Sequence, residues 1–357
     1  MNQSNSSRLL LGGMVVLIVL NYFIFYNVID RQNPGDGGID QNQLRKAITV
    51  DILEMQLERK ENRIRELEQQ VASAKSGGRP STALAQAKPK QTLHVGWQWQ
   101  GRETRKVRFF DGNEAYVYKT TYEGSMANPH QPHIDWWDVI ESRSWEIETF
   151  FVYKTFLGPT SSFIDFGSWI GPTVLYGATL AKNGYALEPD PYAFDEVRAN
   201  LALNPRLQDH TSIFWKCIMD KPGIYPMGGG GGDSMASVGS ANHPKSWKVD
   251  CMTLPQFINE HQIENLHLIK MDPEGAEHII LPSFKPWLMQ QKVKPTLWLS
   301  IHKWNFAPGG AEAVVDVLRL YKRVFEGHQN QVDINSYTLC DFCTILATDL
   351  DVPIYHE

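Results

Sequence analysis

The chain has 357 residues, a formal net charge of -6, 21% charged and 42% hydrophobic residues. That is length for two domains and apolar content for a packed core. No strongly basic stretch occurs, which excludes a nucleic-acid partner built on clustered phosphate contacts. Four cysteines, at 217, 251, 340 and 343, are too few for a disulfide scaffold.

Residues 9–29 carry no charged side chain; Arg8 precedes them and Asp30 and Arg31 follow. Twenty-one residues are enough to cross a bilayer as a helix, so 9–29 is predicted to be a membrane anchor behind a short tail, 1–8. Positive charge at Arg8 and the amino terminus, against Asp30, Asp36 and Asp40 beyond, predicts a cytosolic amino terminus and a lumenal remainder. This is the pattern of a single-pass type II protein, of the kind held in the Golgi.

Residues 30–92 read as a stem. A spacer precedes a heptad seam of Val50, Leu53, Leu57, Lys60, Ile64, Leu67, Val71 and Ala74. A seam that narrow predicts a coiled coil over about 43–75, and its β-branched residues favour a parallel homodimer. A polar linker, 76–92, leads to the domain, 93–357.

The domain opens with a lead-in, 93–135, in which apolar residues alternate around Asp111, Gly112 and Asn113 and predict a β-hairpin. His130 and His133 lie in the loop after it, with no acidic or cysteine partner at ligand spacing. The core begins at 136, with a helix predicted over 136–157.

Residues 163–171 read FIDFGSWIG. A short apolar run reaches Asp165, glycines follow at 167 and 171, and 174–181 has helical character. This is strand, tight turn, helix, with glycine where the backbone bends and a ligand comes close. Glu188 ends the next apolar run, where an acidic side chain grips the two hydroxyls of a ribose. A nucleoside-containing cofactor is therefore expected. The dinucleotide fingerprint GxGxxG is absent, since the glycines are spaced GxxxG.

A helix over 192–203, a third strand over 213–218 and a loop over 222–246 are expected next. The five glycines at 228–232 lack the Lys-Ser/Thr of a phosphate loop, so this segment reads as a mobile loop or lid. Residues 249–252 and 254–261 follow as strand and helix. The strand predicted at 266–271 ends in Asp272, Pro273, Glu274, Gly275, Ala276 and Glu277. Three carboxylates at the carboxyl end of a strand that neighbours the glycine strand point to a site. His302 stands at the tip of a fifth strand, 296–301, on the same edge. A helix over 311–321 and two strands, 322–326 and 342–347, complete the chain. Cys340 and Cys343 form a lone CxxC without a second pair, which reads as strand residues or one disulfide rather than zinc.

FIDFGSWIG, ALEPDP and LIKMDPEGAE together resemble the FkbM family of S-adenosylmethionine-dependent methyltransferases, over about 140–350. Two positions depart from the family pattern. Trp169 stands where asparagine is usual, and Pro273 where an aliphatic residue is usual.

The resemblance implies a doubly wound α/β fold, with a seven-stranded, mostly parallel sheet. It places the methionine end of S-adenosylmethionine near Asp165 and Gly167, the ribose on Glu188, and the adenine near Cys217 and Ile218, with Ser168 and Gly171 also binding the cofactor. Asp272, Glu274 and His302 are implied to face the reacting methyl, and Glu277 the substrate. O-methylation of a hydroxyl, often on a carbohydrate, is the implied activity. Methyl transfer needs in-line placement, and a weakly nucleophilic hydroxyl gains from a general base, for which His302 or Glu274 serves. No metal site is read from the spacing. Trp169 leaves a rival reading, a domain that has lost catalysis and acts as a membrane-tethered scaffold.

Overall fold

The computed structural model describes residues 102–120, 135–229, 237–238, 245–351 and 353–355. The membrane span at 9–29, the stem and its coiled coil, and the loop histidines 130 and 133 lie outside the described residues. Among the described residues no helix is long and apolar enough to cross a membrane.

The hairpin forms as expected. β1 (Thr104–Arg108) pairs antiparallel with β2 (Glu114–Tyr118). The predicted long helix over 136–157 is instead two, α1 (Trp136–Glu141) and α2 (Ile147–Phe156). Arg143 and Glu146 between them hold positive φ, 61° and 41°, which no continuous helix allows.

The glycine stretch gives β3 (Ser162–Phe166) and α3 (Pro172–Leu180). Then come β4 (Asn183–Leu187), α4 (Pro191–Ala202), the short α5 (Pro205–Gln208) and β5 (Thr211–Phe214). The expected third strand thus ends at Phe214, and β6 (Cys217–Ile218) turns away into a second sheet.

That second sheet corrects the expectation of a loop over 222–246. β7 (Gly223–Gly229), β8 (Ser237–Val238) and β9 (Lys245–Met252) join β6 in the order β6-β9-β7-β8. Cys217 and Cys251 face each other in register across β6 and β9, with Cα atoms 4.4 Å apart, and form a disulfide. A second disulfide joins Cys340 and Cys343.

The remaining elements are α6 (Leu254–Glu260), β10 (Leu266–Met271), α7 (Glu277–Ser283), α8 (Lys285–Gln290), β11 (Thr296–His302), a single 3-10 turn (Lys303–Asn305), α9 (Gly310–Leu318), β12 (Arg323–Glu326), β13 (Asn330–Gln331) and β14 (Phe342–Thr348). The main sheet runs β13-β12-β14-β11-β10-β3-β4-β5. It has eight strands rather than seven, because the two-residue β13 extends one edge. β11, β10, β3, β4 and β5 are parallel, and β14 lies antiparallel between β11 and β12.

Every residue of β3 is buried, as a strand covered on both faces requires. Ile164 and Phe166 point to one side with Ile269, Met271 and the α7 and α9 residues Ile280 and Val314. Phe163 points to the other with Leu268, Trp298, Tyr153 and Tyr176. From β3 the chain winds outward through β4 and β5, then crosses back to β10. The winding reverses between β3 and β10, which is where open α/β sheets bind ligands, at the carboxyl ends of the strands.

Candidate active site

Gly167 begins the turn after β3, with φ 78°. A Cβ there would stand 2.1 Å from the Asp272 carbonyl oxygen at the end of β10. The glycine lets two strand ends close on each other. Gly171 has another purpose: at the start of α3, φ 95°, its missing Cβ would meet Val197 Cγ2 of α4 at 2.5 Å. It serves helix packing and does not border the pocket described next.

That pocket lies at the switch point. Gly167, Glu188, Cys217, Ile218, Met227, Asp272 and Glu274 are among its walls. Glu188 is fixed at the tip of β4, where its carboxylate accepts hydrogen bonds from the backbone N–H of Trp169 (2.7 Å) and of Asp190 (2.8 Å). Each oxygen keeps a second lone pair for a ligand hydroxyl. Burial and the charge of Asp190 push Glu188 up to about 8, and the two N–H bonds and Lys270 only partly offset this.

Trp169 holds the left-handed conformation, φ 47°, which asparagine tolerates better than most side chains. Its indole borders the pocket but is 7% exposed. It packs edge-on to Trp136 with ring centroids 5.2 Å apart, and lies 6.1 Å from Trp145. The tryptophan is anchored in an aromatic cluster.

Asp165 and Ser168, both expected to bind the cofactor, do not line the pocket. Both are buried. Asp165 accepts hydrogen bonds from the hydroxyls of Tyr153 and Thr173, at 3.0 and 2.5 Å. Its Oδ1 lies 3.5 Å from Lys270 Nζ. Burial raises the Asp165 carboxyl, against the pull of Lys270 and those hydroxyls. Lys270, on β10, also donates to the Gly167 carbonyl at 3.1 Å and lies 3.5 Å from Asp272 Oδ2. Burial alone would lower Lys270, but Asp165, Asp272 and Glu146 hold its ammonium well above the usual lysine value. The lysine ties the glycine turn to the acidic segment.

Glu146 escaped the sequence reading. It sits just before α2, and burial together with the charge of Asp272 pushes it up to about 8. Its only linear signal was an acidic residue beside a tryptophan at a helix start, a common pattern without function.

β10 and β11 bring Asp272, Glu274 and His302 together, as expected. His302 Nε2 is 3.9 Å from Asp272 Oδ1 and 3.7 Å from Glu274 Oε2. Glu277, expected to face substrate, is fully buried instead. Its Oε1 accepts from His302 Nδ1 at 2.7 Å and from the Gly275 N–H at 3.1 Å. It positions the histidine. Burial alone would lower His302, but Glu274, the Glu277 bond and Asp272 raise it to about 10. An imidazolium has no lone pair to offer, so in this state His302 is an electrostatic and donor group. Glu274 is left as the proton acceptor.

Strand order, reversal point and pocket define the Rossmann-like methyltransferase fold. Residues 167–331 match the sequence model of the methyltransferase FkbM domain. Curated protein sequences yield no match. Solved structures overlap in part. The FkbM methyltransferase of Methylobacillus flagellatus KT is 14% identical, with a TM-score of 0.35. That overlap covers 52% of this chain and only 43% of that protein. The precorrin-6y C5,15-methyltransferase of Geobacter metallireducens is 10% identical over 57% of this chain and 88% of that one, TM-score 0.32. An O-methyltransferase of Bacillus cereus in complex with SAH is 11% identical over 56% and 78%, also at 0.32.

Proposed function

We propose that this chain is an S-adenosylmethionine-dependent O-methyltransferase acting on a hydroxyl of a carbohydrate. The observation that carries this reading is the meeting of Gly167, Glu188, Asp272 and Glu274 around one pocket at the sheet reversal, within the residues that match the FkbM domain. His302 does not line the pocket but stands behind Asp272 and Glu274, 3.9 and 3.7 Å away. The pocket suits the cofactor. It offers a cradle that a Cβ would fill, a pinned carboxylate for a diol, apolar walls at Leu187, Ile218 and Met227, and the acidic side chains Asp272 and Glu274.

When bound, S-adenosylmethionine supplies an electrophilic methyl on a sulfonium. Asp272 and Glu274 favour positive charge beside them. Glu274 accepts the acceptor hydroxyl's proton, and His302, held by Glu277, orients that hydroxyl. Phe342, half exposed, sets its ring 5.4 Å from that of His302, a flat apolar face of the kind a sugar ring lies on.

The uncharged stretch 9–29, with Arg8 before it, supports a type II anchor in a secretory-pathway membrane such as the Golgi, and the heptad seam supports a parallel homodimer. Two disulfides suit an oxidising lumen.

The test is transfer of tritiated methyl from S-adenosylmethionine to cell polysaccharide by the full-length protein. Expected is transfer that falls ~10²–10⁴-fold in Glu274→Gln, while S-adenosylhomocysteine still binds. Absent transfer with wild type, or undiminished transfer in the variant, rejects the reading.

A further inference from the structure

The chemistry above leaves one feature of the sheet edge unexplained. Glu146, Asp165, Asp272, Glu274 and Glu277 crowd the carboxyl ends of β3, β10 and β11, where Lys270 is the one buried lysine among the described residues. Carboxylates gathered at this density need positive charge between them, which either a proton on His302 or a cation bound to its neutral ring supplies; the two are alternatives, since binding the ion displaces the proton.

Three side chains there have the geometry of a shared cation seat. One carboxylate oxygen each from Asp272 and Glu274, and a ring nitrogen of His302, lie within 4.8 Å of one another. The His302 contacts of 3.7 and 3.9 Å exceed hydrogen-bond distance. They match two ligands on either side of an ion whose own bonds are ~2.0–2.3 Å.

Two further observations point the same way. Asp272 Oδ1, which faces His302, is buried and has no hydrogen-bond partner. A buried unsatisfied oxygen of that kind is a mark of a missing ion or water. Independently, His302 is buried and its Nδ1 is held by the fully buried Glu277, at 2.7 Å. This carboxylate–histidine pair fixes the ring so that Nε2 faces the other two ligands, which is how metal-bound histidines are supported.

We infer that Asp272, Glu274 and His302 bind a first-row divalent cation, with Glu277 as the positioning residue behind the histidine. Two carboxylates and one imidazole suit Mn²⁺ or a similar ion better than a thiolate-seeking one. Three protein ligands would leave open coordination positions on such an ion. A hydroxyl bound there is held in place and made more acidic. That role rests on the methyl-transfer reading; the seat itself does not.

The seat escaped sequence analysis because its ligands are split, two in the acidic segment and the third on the next strand. No local spacing joins them. β10 and β11 do so by running side by side in parallel.

The experiment is Mn²⁺ titration of the chelator-treated full-length protein, followed by loss of the free-ion EPR signal. Expected is one Mn²⁺ per chain with micromolar affinity. Asp272→Asn and Glu274→Gln should each weaken it at least 30-fold, and Glu277→Gln by ~10–100-fold. Glu312→Gln, which removes an exposed carboxylate from α9, should leave it unchanged.

Near-UV circular dichroism checks that each variant is folded. If only one variant folds, that variant decides. Absence of Mn²⁺ binding to the wild type, or unchanged binding in a folded Asp272→Asn or Glu274→Gln, overturns the inference. Calorimetry with S-adenosylhomocysteine on the same samples separates the two readings. Cofactor product bound without Mn²⁺ rejects the cation seat alone, and Mn²⁺ bound without cofactor product rejects only the methyltransferase.

Discussion

The backbone oxygen of Asp272 occupies the place where a side chain on Gly167 would begin, 2.1 Å from the ideal Cβ position. Cofactor turn and acidic segment are thus one packed unit. Gly167→Ala must adopt φ 78° with a Cβ and push β10 away. We predict a loss of ~2–4 kcal/mol in stability, seen as a lower denaturant midpoint, and at least tenfold weaker binding of S-adenosylhomocysteine. Near-wild-type values for both would show that the turn has room to move.

Lys270 is the second tie between those segments. Lys270→Met keeps most of the volume but strands the buried Asp165 carboxylate and leaves the Gly167 carbonyl without its donor. The expected cost is ~3–5 kcal/mol, the range for breaking a buried ion pair from one side. Adding Asp165→Asn should recover part of it, a coupling that a double-mutant cycle measures. Strict additivity would mean the two groups do not interact.

Glu188 gives the protein a pH signature. Its folded-state value of about 8 lies above the ordinary 4.5, so between these limits the folded chain holds a proton that the unfolded chain has released. Stability from this group is fully present below about pH 4.5 and is lost as pH rises through about 8. Glu146 contributes in the same sense. Urea midpoints of wild type minus Glu188→Gln, across that window, should therefore fall with rising pH and level off above it. A flat difference curve would contradict the assigned burial.

Trp169 decides whether the pocket is obstructed or merely bordered by an unusual side chain. Because the indole packs on Trp136 and Trp145, Trp169→Asn is predicted to cost ~2–4 kcal/mol in stability. Affinity for S-adenosylhomocysteine should change by less than about threefold. A large gain in affinity would instead identify the indole as a plug.

The parts of this site written in consecutive residues were legible before any coordinates. The glycine turn, Glu188 at a strand tip and the acidic run after β10 each carry their signal within a few positions, because strand burial and turn geometry are local demands. His302 was readable only as a neighbour of that edge. What stayed hidden depended on partners far along the chain. Glu277 looks like a helix-start acid, until β11 delivers His302 to it. Asp165 looks like a ligand contact, until Tyr153, Thr173 and Lys270 are seen to surround it. Residues 223–229 end in a glycine run that argues for a loop, yet β9 pairs with them and makes a strand. Gly171 read as a place for close ligand approach, and Val197 supplies the real reason.

β14, the last of the described strands, lies inside the sheet and not at its edge. During synthesis, β11 therefore presents an unpaired edge until residues 342–348 leave the ribosome, and β12, paired only with the two-residue β13, is not yet joined to the rest of the sheet. The nascent domain is then exposed to strand-to-strand association and to chaperone capture. A stop codon shortly before Phe342 would not trim a tail: it would leave a gap beside the strand that carries His302.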